Sequence, residues 1–133
     1  MKIVMIINKD LSPGLAANAA AVLGISLGNR EPDILGPDLE DASLTAHKGI
    51  TKQNIPVLAT DASGLKEIYE KGVNAPGVQL IDFNTLAQSC RHYDEYREKL
   101  SRTRPRDLEF SGLCLAGPNK KISRLTGSLK LYH

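Results

Sequence analysis

Hydrophobic positions along the chain fall into two kinds of segment that alternate. Four short segments are predicted as strands: residues 2–8, 55–60, 77–83 and 110–117. The first of them is apolar along its length rather than alternating, which is typical of a strand covered on both faces. The segments between them contain helix-capping residues and apolar positions at helical spacing. This alternation predicts a three-layer α/β domain.

Capping residues give the limits of the predicted helices. Ser12 is a good N-cap, Pro13 suits the first helical position, and Gly28 stands where a left-handed C-cap would fall. The first helix is therefore predicted over residues 13–27, buried on most sides because it is rich in alanine and larger apolar residues. Further helices are predicted over 62–71, 85–101 and 118–127. Residues 30–54 have a weaker pattern, which favours a long connection with one short strand at most.

Composition indicates a single domain. The chain has 133 residues, 41% of them hydrophobic and 24% charged, with a net charge of +2. These values are ordinary for one globular domain spanning residues 1–133. No apolar run approaches the ~20 residues of a membrane span, and the short apolar start does not fit a secretory signal. We therefore expect a cytoplasmic protein with no membrane partner.

The residue types that commonly carry catalysis or bind metals are sparse. His47, His92 and His133 lie far apart and none has a cysteine at a metal-ligand spacing, so no metal site is predicted. Cys90 and Cys114 are expected to be small buried apolar residues with no disulfide. Cys90 and His92 are two residues apart in a predicted helix and are expected on different faces. No glycine-rich nucleotide-binding motif is present, so no cofactor is predicted.

The densest basic stretch is "REKLSRTRPRD", residues 97–107. Its basic residues are Arg97, Lys99, Arg102, Arg104 and Arg106. They are able to neutralise RNA phosphates, but basic residues at a helix C-terminus also offset the helix dipole. No aromatic residue interleaves to stack on bases. RNA is therefore a partner with little support in the sequence.

Polar side chains follow the first two predicted strands, where ligands bind in open α/β sheets and where helix N-termini favour anions. A ligand site is predicted there from six residues: Lys9, Asp10, Ser12, Asn18, Thr60 and Asp61. The alternative is structural: Asp10 and Ser12 order the turn, and Asn18 ties a neighbouring loop through its amide. Both interpretations stay open, and in either one a buried Asn18 needs a hydrogen-bonding partner.

The motifs resemble a known superfamily. An apolar strand followed by "KDL", a helix with "LAAN" and the ending "LAGPNKKISRLTGSLKLYH" are similar to the type 2 peptidyl-tRNA hydrolases. "NIPVLATD" and "GLAANAAAVLG" more closely resemble a bacterial branch of that superfamily, domain of unknown function two thousand. The resemblance covers nearly the whole chain. It implies a mixed four-stranded sheet between helical layers, and a homodimer.

The hydrolase activity is not implied as strongly as the fold. Asn18 stands where the hydrolases have a glutamine, Ala21 where they have a histidine, and their helix-start lysine is missing. The segment "SRTRPRDLEFSG" also lacks their Asp-Ala-Gly motif. Lys9, Asp10 and Asp107 are the candidate catalytic residues of a rearranged site.

Three functions follow from the sequence, and whether the chain is an enzyme stays open. The leading hypothesis is a protein that binds a small polar or anionic ligand at the first strand-helix junction. The alternatives are a divergent hydrolase acting on peptidyl-tRNA or a related ester, and a dimeric interaction module whose C-terminal "LTGSLKLY" segment packs in a subunit interface.

Overall fold

The computed structural model describes residues 1–133 and contains seven strands and five helices. The strands are β1 (Lys2–Asn8), β2 (Leu39–Glu40), β3 (Ala46–His47), β4 (Val57–Thr60), β5 (Gln79–Asn84), β6 (Phe110–Gly117) and β7 (Lys130–Leu131). The helices are α1 (Pro13–Arg30), α2 (Ala62–Gly72), α3 (Thr85–Ser89), α4 (Tyr93–Ser101) and α5 (Asn119–Thr126), with short 3-10 turns at Pro32–Ile34 and Pro105–Asp107. The predicted α/β class is therefore confirmed. None of the helices combines the length and apolar character that a membrane span requires.

The main sheet has five strands in the order β5-β6-β1-β4-β7. β1 pairs in parallel with β4, and the other pairs are antiparallel, so the sheet is mixed. The predicted four-stranded sheet is wrong by one strand, because the C-terminal segment turns back along the edge of β4. Leu131 pairs with Leu58, and Lys130 pairs with Ala59.

Helices cover both faces of the sheet, and side chains of β1 alternate between them with the period of two that strands impose. Ile3, Met5 and Ile7 belong to the apolar cluster beneath α1, whereas Val4 and Ile6 belong to the cluster beneath α2 and α5. All five are at most 4% exposed. The continuous apolar sequence of β1 is thus explained by burial on both faces.

Helix α1 extends three residues beyond the predicted end. Gly28 lies inside the helix rather than at its C-cap; the helix reaches Arg30, and the backbone N–H of Glu31 donates to the carbonyl of Leu27. The expected burial on most sides is also wrong. The helix buries one face against the sheet, and on the opposite face Ile25 is 77% exposed.

Close packing of α1 on the sheet depends on Gly112 of β6. A Cβ at this position would lie 3.0 Å from Cδ1 of Ile7 and 3.1 Å from Cδ1 of Leu23. Both distances are tighter than ordinary van der Waals contact. The absence of a side chain at Gly112 therefore lets Leu23 pack directly over the strand.

The helix predicted over residues 85–101 is broken into α3 and α4. At the break, the Ser89 hydroxyl donates to the Leu86 carbonyl, and the Cys90 N–H donates to the Ala87 carbonyl instead of continuing the α-helical pattern. Cys90 and His92 have extended backbone angles. A serine that bonds to a nearby carbonyl competes with helix continuation, and this local competition explains the interruption.

Residues 31–54 form a 3-10 turn and a two-stranded hairpin of β2 and β3, where at most one short strand was expected. Asp41 organises the hairpin turn. Its carboxylate accepts hydrogen bonds from the N–H groups of Ser43 and Thr45 and from the ring of His47. These bonds, that of His47 first, lower the pKa of Asp41.

Candidate functional site

The carboxyl ends of β1 and β4 meet at one edge of the sheet, as the sequence predicted. Because these two strands are parallel, Asn8 lies directly beside Thr60. The N–H of Lys9 then donates to the Thr60 carbonyl at 3.0 Å. This register brings Lys9, Thr60 and Asp61 together.

A hollow of about 420 Å³ opens at this edge. Its lining consists of Lys9, Ala59, Thr60, Asp61 and residues 128–133, and we call it the carboxyl-edge hollow. One wall is the C-terminal segment that β7 holds against β4. This wall was missed in the sequence, because a strand of two residues carries no hydrophobic period.

Two ammonium groups flank the carboxyl-edge hollow. Lys9 and Lys130 are exposed and take part in none of the ion pairs of the chain. The one lining aspartate, Asp61, is engaged elsewhere: it is the N-cap of α2, and its carboxylate accepts from the Gly64 N–H at 2.8 Å. With two lysines and one aspartate in or at its lining, the hollow has an excess of positive charge.

Gly64 leaves room for the side chain of Thr60. A Cβ built on Gly64 would lie 2.2 Å from Oγ1 of Thr60, which is too close for any real contact. The first turn of α2 thus approaches the Thr60 hydroxyl as closely as it does because residue 64 has no side chain.

Asp10 and Ser12 do not line the carboxyl-edge hollow. The Asp10 N–H donates to Oδ1 of Asn8 at 3.0 Å. The Ser12 hydroxyl is the N-cap of α1 and accepts from the N–H of Leu15 at 3.5 Å. Ser12 therefore has the local role that the structural alternative assigned to it, and the Asp10 backbone is held by the same turn.

Asn18 lies on the other side of β1, towards β6. Its Oδ1 accepts from Nε2 of Gln88 at 3.2 Å, and the same Nε2 donates to the Leu15 carbonyl at 3.0 Å. Oε1 of Gln88 accepts from the hydroxyl of Ser111 at 2.7 Å. We call this chain of Asn18, Gln88 and Ser111 the amide bridge. Asn18 is exposed and ties α1 to α3, so it occupies a place separate from the hollow.

Asp107 belongs to neither feature: it does not line the carboxyl-edge hollow and takes no part in the amide bridge. It ends the 3-10 turn Pro105–Asp107, and the carbonyl of neighbouring Arg106 accepts from Nζ of Lys66 on α2. Of the three candidate catalytic residues, only Lys9 lines the carboxyl-edge hollow, whereas Asp10 and Asp107 do not.

Acidic residues of α4 pair with most of the basic stretch. Three of its five basic residues pair with acidic residues three or four positions earlier: Arg97 with Asp94 at 3.2 Å, Lys99 with Glu95 at 2.9 Å, and Arg102 with Glu98 at 3.2 Å. Arg104 and Arg106 form no ion pair. Such pairing leaves little free positive charge for phosphates.

The two cysteines differ in environment. Cys114 is 1% exposed, and burial raises the pKa of its thiol to about 12, so it is the inert core residue that was predicted. Cys90 is only half-buried. The prediction that it faces away from His92 on one helix is wrong, since both residues lie at the helix break and line a single cavity of about 330 Å³.

Comparison with known proteins gives a family match and a structural match. A family model described as protein of unknown function (DUF2000) matches residues 1–133. No curated protein matches the chain. The solved structure of a protein of unknown function from Agrobacterium tumefaciens strain C58 aligns with a TM-score of 0.91 at 22% identity, over 99% of this chain and 97% of that one. At this identity the likeness establishes a shared fold.

Proposed function

The chain belongs to the family described as protein of unknown function (DUF2000), and we propose that within it the chain is a binding protein for a small anionic ligand. The ligand would occupy the carboxyl-edge hollow. The proposal treats residues 1–133 as one domain with the type 2 peptidyl-tRNA hydrolase-like fold, and it includes the cytoplasmic location expected from composition.

One observation carries the proposal: Lys9 and Lys130 flank the same hollow without an acidic partner. Lysine ammonium groups act as point charges that bind phosphate or carboxylate oxygens. The hydroxyl of Thr60 adds a hydrogen-bond donor in the same wall. A volume of about 420 Å³ lies within the range of about 300–1,000 Å³ that small-molecule sites occupy.

Binding of inorganic phosphate and citrate tests this proposal. Isothermal titration at low ionic strength is expected to detect binding of at least one probe, with affinity that falls as salt is added. Lys9→Gln and Lys130→Gln are each expected to weaken that binding about tenfold, a loss of about 1.4 kcal/mol. Each substitution removes one positive charge from the hollow and leaves the side-chain length nearly unchanged.

Lys120→Gln is the matched control, since Lys120 is an exposed residue of α5 outside the hollow. It is expected to bind the probes with unchanged affinity. The hollow is not an anion site if neither probe binds at millimolar concentration. The same conclusion follows if the double variant with Lys9→Gln and Lys130→Gln binds the probes as tightly as the parent does.

A hydrolase acting on peptidyl-tRNA or a related ester is the second candidate. Its support is the resemblance of the motifs together with the position of Lys9, the one candidate catalytic residue in the hollow. Incubation with a peptidyl-tRNA analogue separates the two functions. Turnover that is abolished in Lys9→Ala would favour the hydrolase, whereas ligand binding without turnover favours the binding protein.

We propose a homodimer as the assembly, with the exposed face of α1 at the contact. No charged residue occurs between Pro13 and Asn29, and Ile25 is 77% exposed on that face. A twofold contact between two copies of an uncharged face opposes no like charges. The C-terminal segment, by contrast, pairs with β4 of its own chain, so the interaction-module alternative needs a different surface.

Ile25→Asp tests the homodimer directly. The parent chain is expected to have the mass of two subunits by light scattering, and the variant the mass of one, because the change places like charges at the contact. Val73→Asp, at a 44% exposed position beyond α2, is the control and keeps the parent mass. A monomeric parent, or a dimer in Ile25→Asp, contradicts the proposal.

A further inference from the structure

A second cavity, separate from the carboxyl-edge hollow, opens beside the edge strand β5. It has a volume of about 330 Å³ and lies where α1, β5 and the break between α3 and α4 meet. It shares no lining residue with the carboxyl-edge hollow. We call it the β5-edge cavity. The segment between α3 and α4 contributes Cys90, Arg91 and His92 to its lining.

Asp82 of β5 lines this cavity and has no cationic partner. It takes part in none of the ion pairs of the chain. Burial raises the pKa of its carboxyl group, and a hydrogen bond from Asn84 acts in the opposite direction. A partly buried carboxylate without a cation is uncommon in folded proteins, since burial of a charge is costly unless the charge is paired.

One positive group, the guanidinium of Arg91, lines the same cavity and is also unpaired. Arg91 is exposed and forms no ion pair with Asp82 or with any other acidic residue. The guanidinium of Arg91 presents a planar fork of donors that fits a carboxylate in two-point contact. The cavity therefore offers one negative and one positive group that do not neutralise each other.

The rest of the lining is mainly apolar and aromatic. Val22 of α1, Phe83 of β5 and Ala87 of α3 form apolar walls. Tyr93 and Tyr96 stand edge to face with their ring centroids 5.8 Å apart. A tyrosine face near a carboxylate is a favourable place for an ammonium group. A lining that combines two opposite charges with apolar side chains fits a small molecule that carries both charges and an apolar group.

We propose that the β5-edge cavity binds a free α-amino acid with an apolar side chain. The ammonium group would lie at Asp82 and the tyrosines, the carboxylate at Arg91, and the side chain against Val22, Phe83 and Ala87. A simple anion is a poorer occupant because the Asp82 carboxylate repels it. A simple amine leaves Arg91 without a partner and is repelled by its charge. Only a zwitterion satisfies both groups.

Titration with L-leucine and two analogues tests the proposal. L-Leucine methyl ester lacks the negative charge, and N-acetyl-L-leucine lacks the positive charge. We expect L-leucine to bind and each analogue to bind at least tenfold more weakly, because each leaves one charged group of the cavity unpaired. Asp82→Asn and Arg91→Gln are each expected to weaken L-leucine binding at least tenfold.

Glu98→Gln and Arg102→Gln are the matched controls, since these residues form an exposed ion pair at the end of α4 and line no part of the cavity. Both should bind L-leucine as the parent does. Arg91 is exposed, so Arg91→Gln keeps the test valid even if Asp82→Asn perturbs folding, which circular dichroism would reveal. Titration of the same variants with phosphate measures anion binding at the carboxyl-edge hollow independently of the β5-edge cavity.

Three results overturn the proposal. The first is no binding of L-leucine, L-methionine or L-phenylalanine at millimolar concentration. The second is equal binding of L-leucine and its methyl ester, which would indicate a site for amines alone. The third is unchanged L-leucine affinity in Arg91→Gln. None of these results bears on the anion site proposed above.

Discussion

Replacing Phe110 with alanine is expected to lower the free energy of unfolding by about 3–5 kcal/mol. Phe110 is 1% exposed, and the centroid of its ring lies 4.6 Å from the ring centroid of Tyr69, which packs α2 onto the sheet. The substitution removes this contact and leaves a cavity. Because a domain of this size is stable by about 5–15 kcal/mol, the loss is a large part of the total. Urea unfolding followed by circular dichroism at pH 7 measures it.

Ile50→Ala provides the comparison for Phe110→Ala. Ile50 is 78% exposed and lies outside the α1 face, and its replacement is expected to change the free energy of unfolding by no more than about 0.5 kcal/mol. The slope of the free energy of unfolding against urea concentration should be similar in both variants, since the surface exposed on unfolding changes little. Equal stability of the two variants would mean that α2 and β6 do not pack as described.

The strands most accurately predicted from the sequence are the two most deeply buried. β1 and β6 begin and end at the predicted residues, because nearly every side chain in them is covered by a helix and must be apolar. β4 and β5 contain more half-buried positions and begin two residues later than predicted. A hydrophobic pattern is thus most informative where burial is complete on both faces.

The elements that were missed depend on single hydrogen bonds or on distant partners. The break at Cys90 follows from a serine hydroxyl competing for one carbonyl, and "AQSCRHY" contains neither proline nor glycine to mark it. Strand β7 exists because β4 offers a free edge. Neither cause appears in a hydrophobic pattern, which reports burial and period.

Among the residues predicted to bind a ligand, the two whose positions the register of the sheet determines lie together. Lys9 and Thr60 come together because β1 and β4 are parallel and in register. Asp10 and Ser12 belong to the turn that leads into α1, and their direction depends on the path of that turn. Asn18 points towards α3 rather than β4, and the order of strands that decides this is a property of the whole fold.

The amide bridge gives the second large expected effect. Gln88→Ala should lower the free energy of unfolding by about 1–3 kcal/mol, because the Ser111 hydroxyl, at 0% exposure, loses the oxygen that accepts its hydrogen bond. Asn18→Ala is expected to change it by less than about 0.5 kcal/mol. Asn18 is exposed, and Nε2 of Gln88 keeps the Leu15 carbonyl as its acceptor.

A double-mutant cycle assigns the loss to the Ser111–Gln88 contact. Ser111→Ala removes the buried hydroxyl, so Gln88→Ala added to it should cost at least about 0.5 kcal/mol less than Gln88→Ala alone. Additive losses would show that Gln88 acts through its packing and not through the bridge. If Asn18→Ala proved as destabilising as Gln88→Ala, the amide of Asn18 would hold α1 in place by itself. The expected order, with Gln88 far ahead of Asn18, makes Gln88 the structural tie and leaves Asn18 as its exposed end.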